Sequence, residues 1–120
     1  MVNDLNFKVF YCKEPSFRDD SMPKDMNHFE VGWVFLKDVD AENLEDLFVK
    51  MQGEVWSPKG EANDLIKGLG LHHTSMSVGD VAVDENRNIH FCAMIGWEKL
   101  GFKYKTNKEL LNELNIKIGE

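Results

Sequence analysis

The chain has 120 residues, 42% of them hydrophobic and 29% charged, which is the make-up of one globular domain over 1–120 rather than of a disordered segment. Its 21 acidic and 14 basic residues leave a net charge of −7, which argues against a general nucleic-acid binder or an anionic membrane surface and fits a basic protein partner. Two cysteines in apolar runs, Cys12 and Cys92, and a start with Asp4 and no apolar signal core, read as a reducing, cytoplasmic setting, and no apolar run reaches membrane-span length.

Residues 6–12 alternate, with Phe7, Val9 and Tyr11 on one face and Phe10 and Cys12 on the other. They predict a strand buried on both sides. Residues 13–28 are polar with two prolines and no period, a long loop and so a candidate functional one. Residues 29–37 read as a second strand with Val31, Trp33 and Phe35 on one face and a bulge at Gly32.

Asp40 then reads as a helix N-cap, and Leu44, Leu47, Phe48 and Met51 form one apolar stripe that stops at Gly53. Ser57-Pro58 opens a second helix, which carries Leu65, Ile66 and Leu69 and ends at Gly68 and Gly70. Residues 76–84 read as a third strand with a phase change at Gly79-Asp80, and 89–95 as a fourth. The polar turn 84–88 between them makes an antiparallel hairpin. Leu100, Phe102 and Tyr104 extend a short further strand, and Thr106 with Glu109 has capping-box spacing for a last helix.

These elements predict an α+β fold: a mostly antiparallel four- or five-stranded sheet with two or three helices packed on one face. Helices between the second and third strands argue against a parallel doubly-wound sheet.

Few residue sets could carry chemistry. His72, His73, His90, Cys92 and Cys12 are zinc-type ligand residues, but without CxxC or HxxxH spacing, so no metal or other cofactor is expected. Ser75 or Ser77 with His73 and Asp80 has the residue types of a nucleophile set. On one strand they do not converge, and no nucleophile elbow is present; the plainer reading has the hydroxyls and Asp80 bonding local backbone. Trp33 reads as core, whereas Trp56 and Trp97, in loop-like contexts, are candidate contact aromatics. The binding candidates are therefore His73, Ser75, Ser77, Asp80, Trp56 and Trp97. Glu42, Glu45 and Asp46 form the polar side of the first helix, an ordinary solvated face that would also suit a DNA mimic.

The run His73-Thr74-Ser75-Met76-Ser77-Val78-Gly79-Asp80-Val81-Ala82-Val83, closed by Ile95-Gly96-Trp97-Glu98-Lys99-Leu100, resembles the motif of YodL-like domains. In that family a small-hydroxyl segment precedes a hairpin strand and an aromatic-glycine turn closes the second. Gly79 stands where the family tends to have Ser, and Trp97 where it has Phe. The likeness covers residues 73–100. It implies a small accessory protein of a phage or mobile element, non-catalytic, that binds a host or phage protein in the bacterial cytoplasm. Two other readings are a small-molecule or nucleotide binder or enzyme using the 13–28 loop with the 73–80 segment, and an acidic DNA-mimic inhibitor.

Overall fold

A computed structural model describes residues 4–14, 22–53, 56, 60, 62–71, 73–106, 108, 109 and 112. Five strands form one antiparallel sheet: β1 (Leu5–Cys12), β2 (Trp33–Ala41), β3 (Val81–Val83), β4 (Asn88–Cys92) and β5 (Trp97–Lys103), in the order β2-β1-β3-β4-β5. Among the described residues three short helices accompany it: α1 (Met26–Gly32), α2 (Leu44–Lys50) and α3 (Asn63–Gly68). The α+β class follows directly.

The alternation of β1 explains its place inside the sheet. Phe7, Val9 and Tyr11 enter one core cluster with Leu47, Met51 and Ile66 of the α2–α3 side. Phe10 and Cys12 enter a second cluster with Phe29, Trp33, Val81, Val83, Ile89 and Phe91. A strand with both faces buried suits the interior of a sheet, and β1 pairs with β2 on one side and β3 on the other. Because both neighbours run antiparallel to β1, they run parallel to each other. The chain must therefore cross over β1, and α2 and α3 lie in that crossover. Two helices thus pack on one face, as expected. The third, α1, lies against the other face through Phe29.

The second strand begins later than the sequence predicts. Phe29 to Gly32 are helical. The Asp25 carboxylate accepts the His28 N–H at 2.8 Å and caps α1, so the last part of the 13–28 segment turns into helix. The bulge in β2 falls at Leu36, the residue skipped between Val9↔Lys37 and Phe10↔Phe35. That extra residue changes the phase of β2, so Val34 before it, Leu36 itself, and Val39 and Ala41 after it all reach the same core.

The cap of α2 also moves. Asn43, not Asp40, accepts the Asp46 N–H at 2.8 Å, while the Asp46 carboxylate returns to the Glu42 N–H at 3.0 Å. Asp40 remains in β2. Leu47 and Met51 are fully buried and contribute about 2 kcal/mol each by burial, but Phe48 stays partly exposed. Gly53 has no left-handed φ; its N–H bonds the Lys50 carbonyl. Gly70 does act as a left-handed stop (φ 72°). The Gly70 N–H meets the Lys67 carbonyl and the Leu71 N–H meets the Ile66 carbonyl, the double bond of a Schellman end.

The β3–β4 hairpin forms as expected, with β3 shortened to Val81–Val83. Residues 77–80 make a turn instead of strand, closed by Asp80 N–H to the Ser77 carbonyl at 3.0 Å. At the hairpin tip the Asp84 carboxylate accepts the N–H groups of Asn86 and Asn88 and faces His90 Nε2 at 2.9 Å. Burial acts to raise the Asp84 carboxyl, but these bonds outweigh it and hold it below the ordinary range. β4 ends at Cys92, so Met94 and Ile95 lie in the Ala93–Gly96 turn and not in the strand. The Thr106 hydroxyl accepts the Glu109 N–H, as the capping-box spacing predicts. The helix start at Ser57-Pro58 and the apolar residues from Leu110 onward lie outside the described residues, as does His72.

Candidate functional site

Three of the sequence candidates, His73, Ser77 and Asp80, converge, and Asp80 is their hub. Its carboxylate is wholly buried (0% exposed). One oxygen accepts the Cys12 N–H at 2.9 Å. The other accepts the Ser77 N–H at 2.8 Å and faces His73 Nε2 at 2.7 Å. The His73 ring stacks on Tyr11 at 4.6 Å and 13°, and the Tyr11 hydroxyl donates to the Thr74 carbonyl at 2.8 Å. Trp33 Nε1 donates to the Gly79 carbonyl at 2.7 Å. Residues 73–80 are thereby tied to the ends of β1 and β2 through side chains on three segments.

The two hydroxyls are committed elsewhere. Ser75 Oγ donates to the Trp56 carbonyl at 2.8 Å and Ser77 Oγ to the Ser75 carbonyl at 3.1 Å. Each O–H has one proton, and each gives it to backbone instead of to His73, so no nucleophile–base bond is made. Among the described residues, no three His, Cys, Asp or Glu side chains gather in a metal-binding cluster. His90 faces Asp84, remote in sequence from Cys12, and the two form no shared ligand set with Cys92. The plainer sequence reading, local backbone bonding, holds for Ser77 and for the Asp80 bond to the Ser77 N–H, whereas Ser75 reaches the distant Trp56 carbonyl and Asp80 also holds the distant Cys12 N–H. A cleft of about 470 Å³ lies beside His73, with Asn63 and Lys67 of α3 opposite. The described part of the 13–28 segment lines a different cleft, against β5.

The electrostatics follow from burial. Burial drives the Asp80 carboxyl upward, against the opposing effect of His73 and the two N–H donors. Burial likewise pushes the Tyr11 hydroxyl and the Cys12 thiol up, and the Asp80 charge adds to both. A buried thiol held protonated is a poor nucleophile. Cys12 is accordingly expected to react with a thiol reagent such as DTNB far more slowly in the native protein than in guanidinium. Fast stoichiometric labelling of Cys12 under native conditions, read by peptide mapping, would contradict this packing.

The tryptophans divide. Trp56 is a buried core residue, which corrects its reading as a contact aromatic: its backbone carbonyl anchors Ser75 while its ring packs inside. Trp97 is half-buried and lines a groove of about 420 Å³ with Phe48 and Val49 of α2, Cys92 and Met94. The groove's margins are unusually apolar. Val49 is 67% exposed, Met94 65% and the adjoining Ile95 95%. Val49 carried no sequence signal, since it falls off the buried stripe of α2. Met94 and Ile95 read from sequence as part of a strand. Among the described residues lining the groove, Glu45 carries the charge. Lys50 sits among the nearby acids, 3.4 Å from Asp46, 3.9 Å from Asp4 and bonded to the Asp40 carbonyl.

Fold and site define a small antiparallel α+β domain with a buried Asp–His brace and an exposed apolar groove. No family model, curated protein or solved structure matches the chain. Among the described residues no helix is long and apolar enough to cross a membrane.

Proposed function

We propose that the protein is a non-catalytic binding module that seats an apolar segment of a partner protein in the groove between α2 and the Ala93–Gly96 turn. The observation that carries this is the cluster of Val49, Met94 and Ile95, all strongly exposed, around a groove floored by Trp97 and Cys92. Contiguous exposed apolar side chains with a half-buried aromatic are the usual make-up of a docking surface. Glu45 on the wall and the net charge of −7 favour a segment whose apolar anchors are flanked by Lys or Arg. The commitment of both serine hydroxyls to backbone supports a non-catalytic reading. The resemblance of residues 73–100 to YodL-like domains supports taking the partner as a host or phage protein.

Selection from a random peptide library displayed on phage provides the test. Enriched peptides should carry two or three apolar anchors with basic flanks. Their affinity should fall at least about tenfold, a loss of 1.4 kcal/mol, in the V49D/M94D variant, with its melting temperature unchanged. Enrichment without such a motif, or binding indifferent to V49D/M94D, would refute the groove.

A further inference from the structure

A second cleft, of about 760 Å³, lies between residues 22–26 and β5. Its charge opposes that of the whole molecule. Lys24, Lys99, Lys103 and Lys105 line it, against Asp25 and Glu98, in a chain with 21 acids and 14 bases. Asp25 is already engaged in capping α1. Lys24, Lys99 and Lys103 form no ion pair with any described residue. Such a gathering of like charges is unfavourable by itself and becomes favourable with an anion bound among them.

The chemistry of the walls narrows the anion. The described lining contains no arginine, so the planar fork that grips carboxylates in pairs is missing. Lysines act as separate point charges, which suit the distributed oxygens of phosphates. Between Lys99 and Lys103 lies Gly101, exposed and with nothing within 4 Å of where a Cβ would stand, so a ligand can approach the backbone there. Across the edge of β5 from the lysines, Phe102 and Met26, partly buried against the core, offer apolar surface, as a planar base requires. The volume lies within the common range for small-ligand sites, roughly 300–1,000 Å³.

We infer that this cleft binds a phosphate-bearing ligand of mononucleotide size, with its phosphates on Lys99 and Lys103 and its base toward Phe102. This site is separate from the apolar groove and does not depend on its occupant.

Isothermal titration of the full chain with ATP, tripolyphosphate and adenosine tests the inference. ATP should bind, tripolyphosphate more weakly, and adenosine least. Affinity for ATP should weaken as salt is raised, because exposed charges are screened. K99Q/K103Q and, independently, K24Q/K105Q should each lower ATP affinity about tenfold or more, the loss of one charge-assisted contact. K37Q, on the far edge strand, should leave it unchanged. No heat with ATP, equal losses in K37Q, or tight binding of a single-stranded oligonucleotide without ATP binding would each overturn the proposal.

Discussion

Replacing Asp80 with alanine is expected to destabilise the fold by about 3–5 kcal/mol, the usual cost of breaking a buried charged network on one side. The loss is large because three partners are stranded together. The Cys12 and Ser77 N–H groups and His73 all meet this carboxylate, and the site is closed to water. Each buried donor left unpaired costs about 1–3 kcal/mol. For a domain of this length roughly 3–6 °C of melting temperature accompanies each kcal/mol, so thermal unfolding should shift down by about 10–25 °C. The D80N variant keeps an acceptor for the Cys12 N–H but turns an amide toward the Ser77 N–H, and should lose about 1–3 kcal/mol. A D80A protein melting within a few degrees of the parent would show that the brace contributes little.

The pH dependence of the same pair of proteins carries a sign. Burial raises the native carboxyl of Asp80 above its unfolded value. The native state then holds a proton that the unfolded state releases, so this contribution is present in full below the ordinary carboxylate range and is lost as pH rises through the raised native value. The advantage of the parent over D80N should therefore be greatest at acid pH and shrink toward neutrality. Asp84, held low, acts in the opposite direction: its contribution is present above the carboxylate range and lost as pH falls through its native value. Only the difference between the parent and D80N isolates Asp80. A difference that widened on going from acid to neutral pH would mean that the surroundings stabilise the charged form.

What the sequence reveals depends on whether the cause is local. β1 was legible because a two-residue period with large side chains at every position has one solution, an interior strand. Gly70 was legible because a Schellman end is set by a few neighbouring residues. Phe29 to Gly32 misled because a helix that buries one residue, Phe29, has no stripe, and its apolar letters run on into Trp33 as though one strand. The cap of α2 shifted from Asp40 to Asn43 because pairing with β1 carries β2 on to Ala41, and no local signal records where a partner strand stops. His73 and Asp80 both stand out in the sequence, but on an extended strand they point to opposite faces. They meet because the turn at Ser77–Asp80 folds the segment back and Tyr11 and Cys12 hold it there. The apolar groove needs α2 to approach the Ala93–Gly96 turn, which no local pattern records, and of its residues only Trp97 reads from sequence as a contact candidate.

Gly79 shows the same dependence on tertiary setting, and substituting it should produce the second large effect. Its φ of 106° is one that side-chain-bearing residues adopt only under strain, at about 1–3 kcal/mol. It is also buried, with its N–H bonded to the Cys92 carbonyl at 2.9 Å and its carbonyl accepting Trp33 Nε1. Relaxing the strain means rotating the peptide groups that make those bonds, so strain and bond loss cannot both be avoided. Gly79→Ala should therefore cost about 2–4 kcal/mol. It should also redden or quench Trp33 fluorescence as that indole loses its acceptor. Gly96 has a φ of 70° in an exposed turn with nothing within 4 Å of a Cβ. Asparagine tolerates that conformation, so Gly96→Asn should cost less than about 1 kcal/mol. Chemical denaturation of the two variants side by side measures the contrast. Equal stabilities would mean that the hold of Trp33 and Cys92 on the 77–80 turn is not what fixes its shape, and the brace around Asp80 would then have to be formed by the turn itself.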